Sequence, residues 1–283
     1  MKDYLELFLA QTKIRGSEKT SQDYERHIKK FLNKIDKDIT EISYWDLLNY
    51  YDTEFKDVKV NSKRTYMSAI LSFFKFLYEQ NVIERDITKS FKLPKAEMKD
   101  MDYLSQEEAQ KVAKLCESES RNPYRKKAMF IMLINTGMRA SELANLKLHD
   151  VGDEWINVVG AKGNKFRRIP LHPSVKKAVE DYIKYERGYT NQPYLFVNQW
   201  GNKLSHDNIG RDLARVMAKS DINKHISAHR LRDSFATIQY INGTDFKNIQ
   251  ETMGHSSIQM TLHYIQKVDE KRKNQIVGSG VEF

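Results

Sequence analysis

Apolar side chains recur every three or four residues through the first part of the chain, up to about residue 95. This spacing predicts amphipathic helices, because one helical turn takes about 3.6 residues. Thr20 or Ser21 is the expected cap of one helix, and Asn61 or Ser62 is the expected cap of a longer one. Two stripes carry the pattern: Tyr24, His27, Ile28, Phe31, Leu32 and Ile35, then Met67, Ile70, Leu71, Phe74, Leu77 and Tyr78. No alternating strand pattern interrupts them, so this part predicts a bundle of four or five helices.

The second part of the chain has a mixed pattern. Ser105 precedes two glutamates and predicts a helix start. Residues 126–136 are nearly all apolar and predict a buried helix that ends at Gly137. Two short runs, 155–159 and 166–170, predict a β-hairpin whose turn is AKGNK. Further helices are expected at 140–146, 175–185, 206–218, 229–242, 245–253 and 257–265.

A charged, aperiodic segment, KSFKLPKAEMKDMDYLS, separates the two parts. It predicts a linker at 93–103 between a helical domain of residues 1–92 and a second domain of residues 104–267, with a tail at 268–283. The expected fold class is therefore mainly α with one small β-hairpin.

The composition narrows the classes of function. Lys and Arg number 47 against 38 Asp and Glu, and the net charge of +9 hints at a polyanionic partner without identifying one. No run reaches the roughly 18 apolar residues that a membrane span needs, and the N-terminal sequence does not follow the pattern of a secretory signal. Cys116 is the single cysteine, which excludes an internal disulfide and a Cys-rich zinc site. A soluble protein of a reducing compartment is expected.

Several polar residues of the second part stand where packing alone would not require them. Arg139 lies at a predicted helix start, where it could hold an anion or simply pair with Glu142. Lys162 lies at the hairpin tip, where most lysines are only solvated. His229 and Arg232 share one helix face, where they would repel each other if both were charged. A shared anionic ligand explains this pair better than mutual stability, and an ordinary surface pair is the equal alternative.

His255 follows a glycine, and Tyr264 lies nine residues further along. Either residue alone would be unremarkable, but the set occurs in the order Arg, Lys, His-x-x-Arg, Gly-His and Tyr. Four segments carry this order: TGMRASEL, GAKGNKFRRIPL, HRLRDSFAT and GHSSIQMTLHY. In register, they resemble the tyrosine recombinase (phage integrase) family. Since there is no added arm-binding region before them, the chain resembles the compact Xer branch of that family.

The resemblance implies a fold and a chemistry. The fold is an N-terminal helical core-binding (SAM-like) domain followed by an α+β catalytic domain. Tyr264 would attack the scissile phosphate and form a 3′-phosphotyrosyl link. Arg139 and Arg232 would bind the non-bridging oxygens with forked donors, and Lys162 would protonate the leaving 5′-oxygen.

Three further residues complete the implied site. His229 would assist proton transfer at the tyrosine, and His255 would donate a hydrogen bond to a non-bridging oxygen. Glu142 would hold Arg139 or His229 in place. No metal or other cofactor is implied, since two arginines, a lysine and two histidines replace its charge.

The implied partner is double-stranded DNA with an inverted-repeat-type site, bound by a homo-tetramer that exchanges strands through a Holliday junction in the cytoplasm of a prokaryote, at the nucleoid. The tail at 268–283 is expected to dock on a neighbouring protomer. An accessory recombinase or activator is left open. Five basic residues are candidate DNA contacts, although each could equally be solvated surface: Lys63, Arg64, Lys165, Arg167 and Arg168.

Several functions fit this pattern. The first is a Xer-like recombinase that resolves chromosome or plasmid dimers, and the nearest variant is a minimal integrase of a mobile element. A type IB topoisomerase shares the chemistry, but the recombinase segments argue against it. A non-catalytic DNA-binding regulator is the alternative from a different class, and it would have no use for the complete set of polar residues.

Overall fold

The structure, a computed structural model, describes residues 2–97, 102–160 and 166–254. The chain divides into two compact units, residues 1–99 and 100–283. Lys162, Lys165, His255 and Tyr264 lie outside the described residues, as do the helix expected at 257–265 and the tail. Among the described helices, none is long and apolar enough to cross a bilayer.

The first unit contains four helices in its described part, in agreement with the bundle that the stripes predict. Its core is rich in aromatic rings, and Phe31, Phe73 and Phe74 are fully buried in it. Phe31 and Phe74 meet edge to face with their centroids 5.7 Å apart, an arrangement that aromatic pairs prefer. The helices are α1 (Lys2–Arg15), α2 (Glu18–Ile35), α3 (Tyr44–Glu54) and α4 (Val60–Glu79).

The cap predicted for α2 is wrong by one turn. Ser17 is the N-cap residue, and its hydroxyl accepts a hydrogen bond of 3.1 Å from the backbone N–H of Thr20. Ser21 instead donates from its hydroxyl to the carbonyl of Leu9 at 3.0 Å. The apolar stripe begins only at Tyr24, so hydrophobic periodicity did not predict the polar start of the helix.

The cap predicted for α4 is also wrong. The N-cap residue is Lys59, which makes no capping hydrogen bond with its side chain. Asn61 lies inside the first turn and pairs with the backbone of Glu97, donating to its carbonyl at 2.9 Å and accepting from its N–H at 3.1 Å. The Asn61 side chain, which was predicted to cap the helix, therefore makes a tertiary contact instead. Ser62, the other predicted cap, also lies within the helix.

The second unit surrounds helix α6 (Pro123–Thr136), whose buried residues lie on all sides. The helix predicted at 175–185 is present with different bounds, since the α-helix spans Pro173–Tyr182 and continues as a π-helical turn, Ile183–Arg187. The other elements are α5 (Gln106–Glu117), α7 (Ala140–Asn145), a 3₁₀ turn (Leu148–Asp150), β1 (Trp155–Val159), β2 (Phe166–Pro170), α8 (Pro173–Tyr182), α9 (His206–Met217), α10 (Ala228–Ile241) and α11 (Phe246–Met253).

Strands β1 and β2 form the predicted antiparallel hairpin. Side chains alternate between the two faces of such a ribbon. Ile156, Val158 and Ile169 face the core, and Arg167, paired with Val158 in the register, lies on that same inner face. Arg168 lies on the outer face, where its guanidinium stacks 4.7 Å above the Trp155 ring.

Gly137 ends α6 in a left-handed conformation with φ of 59°. A Cβ atom there would lie 2.4 Å from the ring of Phe235 on α10, so both the backbone angle and the packing require glycine. This close approach brings α10 against the end of α6.

Candidate active site

Arg139 lies at the junction of α6 and α7, two residues after the glycine turn. Its backbone N–H donates to Oε2 of Glu142 at 2.8 Å, and its Nη1 donates to Oε1 of the same carboxylate at 2.9 Å. The pairing with Glu142 that the sequence offered as an alternative is therefore present. The Arg139 side chain is still 39% exposed, so its guanidinium also faces solvent.

Glu142 is shared between two arginines. Its side chain is completely buried, and Arg167 from β2 binds it with two parallel hydrogen bonds, Nη1 to Oε1 at 3.1 Å and Nη2 to Oε2 at 2.7 Å. Such a two-pronged guanidinium–carboxylate pair fixes both distance and orientation. The carboxylate thus joins the hairpin to the start of α7.

The pKa of Glu142 follows from these contacts. Burial alone would raise it, because the charged form loses its hydration. The hydrogen bonds from Arg167 and Arg139, together with the charge of Arg167, outweigh burial and hold the pKa below its ordinary value of 4.5. The carboxylate is therefore ionised at neutral pH.

Arg232 is fully buried on α10, with 1% of its surface exposed. Its Nη1 donates to the carbonyl of Gly137, and its Nη2 donates to the carbonyl of Met253 at 2.6 Å. Gly137 lies two residues before Arg139, and Met253 lies two residues before His255. The segments TGMRASEL and HRLRDSFAT and the end of α11 therefore meet around this guanidinium.

Arg167 also reaches the end of α11. Its Nε donates to the carbonyl of Thr252 at 2.8 Å. A Cβ atom on Gly254, which ends α11 with φ of 65°, would lie 3.2 Å from the Arg167 side chain. All four motif segments are thus linked, since Arg167 belongs to GAKGNKFRRIPL and Gly254 is the first residue of GHSSIQMTLHY.

The remaining candidates in the described part are more exposed than Arg232. His229 is exposed at the start of α10, one helical turn before Arg232. In the first unit, Lys63 lies 5.8 Å from the centroid of the Tyr51 ring, and Arg64 donates to the carbonyl of Pro94.

The role of Arg167 in this cluster escaped the sequence analysis, which grouped it with Arg168 as a DNA contact. The period of two along a strand could have separated them, because Arg167 shares a face with the buried Ile169. No cluster of three or more His, Cys, Asp or Glu side chains within 2–97, 102–160 and 166–254 could hold a metal ion.

Comparisons with known proteins agree with the two-unit architecture. Residues 102–271 match the model of the phage integrase family, and residues 2–81 match that of the phage integrase N-terminal SAM-like domain. The chain is 33% identical over 276 residues to the tyrosine recombinase XerD of Halalkalibacterium halodurans, covering 92% of this chain and 91% of that protein. It is 28% identical to the tyrosine recombinase XerC of Bacillus subtilis, covering 97% and 95%.

Solved structures show the same fold. The crystal structure of XerA recombinase matches with a TM-score of 0.57 and 27% identity, covering 100% of this chain and 99% of that one. A lambda integrase(75–356) dimer bound to a COC′ core site matches with a TM-score of 0.79 and 19% identity, covering 93% and 94%. The mainly α fold with a SAM-like N-terminal domain and a catalytic domain is confirmed.

Proposed function

This chain belongs to the phage integrase family, and from that membership we propose that it is a Xer-like site-specific recombinase that cuts and rejoins DNA through a tyrosine intermediate. The observation that carries the proposal is the position of Arg232. Its buried guanidinium holds the carbonyls of Gly137 and Met253, so α10, which carries His229, meets the turn before Arg139 and the end of α11, two residues before His255 in the sequence.

The described residues support a charge clamp for the transition state. Phosphodiester cleavage places extra negative charge on the non-bridging oxygens, and preorganised guanidinium donors stabilise it. Arg139, partly exposed and oriented by Glu142, and Arg232, held by two carbonyls, are the proposed donors. His229, exposed on the same face of α10, is the proposed proton-transfer group.

Three proposed residues lie outside the described part, and their roles rest on the family motif. Tyr264 is the nucleophile that forms the 3′-phosphotyrosyl link. Lys162 is the general acid for the leaving 5′-oxygen, and His255 donates to a non-bridging oxygen. The attack keeps the bond energy in a protein ester, so rejoining needs no ATP.

The proposed substrate is duplex DNA with an inverted-repeat-type site, gripped by both domains, with the linker at 93–103. Relatives of this fold have been solved on DNA, among them a lambda integrase tetramer bound to a Holliday junction and XerH bound to difH. We propose a homo-tetramer and a role in resolving DNA dimers. Lys63, Arg64, Lys165 and Arg168 are the proposed phosphate contacts.

The test uses suicide duplexes that carry a candidate inverted repeat and a nick that lets the cut end diffuse away. The wild-type chain should form a covalent protein–DNA adduct that survives denaturation, and Tyr264→Phe should bind the same duplex without forming it. Tight binding with no adduct on any of the duplexes would support a non-catalytic regulator instead.

A further inference from the structure

Arg167 lies at the centre of the contacts between the hairpin, α7 and α11. We propose that Arg167 is a positioning residue for strand cleavage, which acts through Glu142 on Arg139 and through the Thr252 carbonyl on the end of α11, and that it does not bind a DNA phosphate. This inference rests on the proposed recombinase function and names a further residue of the same site.

The geometry leaves Arg167 turned inward. Its side chain is 11% exposed, and each of its three guanidinium nitrogens already donates to a protein oxygen, on Glu142 or on Thr252. The Glu142 carboxylate binds two of these nitrogens and matches the positive charge of Arg167, so this guanidinium has little to offer a DNA phosphate. Arg168, the next residue, is instead exposed on the outer face of the hairpin, where its guanidinium stacks on the Trp155 ring.

The effect on Arg139 follows from the shared carboxylate. Arg167 occupies both oxygens of Glu142, and this holds the carboxylate where it meets both the N–H and the guanidinium of Arg139. Without Arg167 the buried carboxylate keeps only one partner. It can then turn fully toward Arg139 or take up a proton, and either change moves the guanidinium that is proposed to clamp the phosphate.

The effect on α11 follows from the second contact. The Nε of Arg167 holds the Thr252 carbonyl, three residues before His255, and the side chain crosses closely over Gly254. The same helix end is held by Arg232 through the neighbouring Met253 carbonyl. Two arginines from different elements thus fix the point from which the chain leads to His255 and Tyr264.

The first experiment compares Arg167→Gln and Arg167→Lys with the wild type on the suicide duplex. The single-turnover cleavage rate at saturating protein should fall by about 100-fold in Arg167→Gln, because small misplacements of reacting groups have effects of that size. Arg167→Lys should recover only part of the rate, since an ammonium cannot bind both carboxylate oxygens and the carbonyl. DNA affinity should change by less than about 2-fold, and the dependence of log K on log salt should keep its slope.

The control is Lys177→Gln, which removes one positive charge from a side chain that is 77% exposed on α8. It should leave the cleavage rate unchanged. The proposal is overturned if Arg167→Gln weakens binding and lowers the salt slope by about 0.9 while the rate at saturation stays at the wild-type value, because this is the signature of a lost phosphate contact.

A double-mutant cycle tests the route through Glu142. If Arg167 acts through this carboxylate, Arg167→Gln should lower the cleavage rate much less in a Glu142→Gln background than in the wild type.

The pH profile of cleavage gives a second readout. The charged groups that act on Glu142 are Arg167 and Arg139, so losing Arg167 should raise the pKa of Glu142 and move the acid limb of the cleavage profile to higher pH. Additive effects with an unshifted profile would refute this route.

A duplex with sulfur in place of the bridging 5′-oxygen distinguishes a defect at Arg167 from a defect at Lys162. The sulfur leaves as a thiolate without needing a proton, so a defect in Lys162 should be relieved by it. The defect of Arg167→Gln should persist on this duplex. Relief of that defect would mean that Arg167 acts with Lys162 in protonating the leaving oxygen.

Two outcomes separate the proposed function from this inference. If the wild type forms no Tyr264-dependent adduct, the proposed function fails. If the wild type forms the adduct and Arg167→Gln cleaves equally fast, only this inference fails.

Discussion

At Glu142 one fully buried carboxylate serves two arginines from different elements. Burying a single charge without partners is costly, and here two guanidinium groups offset that cost. The same contacts give Arg139 a fixed orientation while leaving it 39% exposed. At this residue, stability and the geometry proposed for catalysis depend on the same hydrogen bonds.

Glu142→Gln should lower the free energy of unfolding at pH 7 by about 3 kcal/mol, because it leaves two buried or half-buried cations without a counter-charge. Since the folded-state pKa of Glu142 lies below 4.5, its contribution is fully present above that pH and is lost as the pH falls through the lower folded value. Urea titrations from pH 7 to pH 3 should therefore show the gap between wild type and variant closing only on the acid side. Glu154→Gln, an exposed glutamate, is the control, and a gap that is constant with pH would contradict the assignment.

Gly137→Ala should lower the free energy of unfolding by more than about 2 kcal/mol, from the strained left-handed backbone and the clash with Phe235. Gly243→Ala is a matched control, because Gly243 also has a positive φ, of 82°, but no heavy atom lies within 4 Å of its added Cβ. Urea denaturation should show the smaller loss for Gly243→Ala. Equal losses would mean that the Phe235 contact does not matter.

Among the elements, α5 shows how local sequence can set a helix start. Ser105 accepts from the N–H of Glu108 at 3.2 Å, and the Glu108 carboxylate accepts from the N–H of Ser105 at 2.7 Å. This reciprocal pair is a capping box. Glu108 also pairs with Lys224 at 2.6 Å, so the cap connects to the segment before α10.

Ser105→Ala should lower the free energy of unfolding by about 1 kcal/mol, since one helical N–H loses its acceptor. Ser118→Ala, at the other end of the same helix, is the control. Its hydroxyl only donates to the Leu115 carbonyl at 2.9 Å in an exposed position, so the loss should be smaller. Thermal unfolding of both variants measures the difference, and a larger effect at Ser118 would contradict the assignment of the cap.

For the molecule as a whole, the positive charge is spread over both parts. Residues 1–96 hold 18 basic and 15 acidic side chains, a balance of +3, and the remainder holds 29 and 23, a balance of +6. A charge divided in this way is consistent with both domains contacting the phosphate backbone. Affinity for DNA should then depend strongly on salt.

Deleting residues 270–283 should weaken cooperative binding to a two-site duplex while leaving single-site affinity nearly unchanged. The reason is the expected docking of this apolar-ended tail on a neighbouring protomer, a prediction from the sequence alone. A gel-shift titration on duplexes with one and two half-sites separates the two effects. Replacing Ile276, Val277 and Phe283 with Ser in the full-length chain should reproduce the loss, and unchanged cooperativity would exclude docking.

The sequence by itself determined most of the described helices, the two paired strands and the motif order. Helix periodicity, the Ser105 cap and the strand runs depend on residues within a few positions of one another, so they can be found without a structure. The same local logic failed at Asn61, whose partner Glu97 lies 36 residues away.

Only the tertiary structure decided which charged residues meet. Arg167 contacts Glu142 across 25 residues of sequence and Thr252 across 85, and Arg232 reaches Gly137 across 95. No periodicity spans such distances, because these contacts exist only after the core has packed α6, α10, α11 and the hairpin together. The sequence therefore supplied the candidates for the site, and folding assigned Arg167 to the interior and Arg168 to the surface.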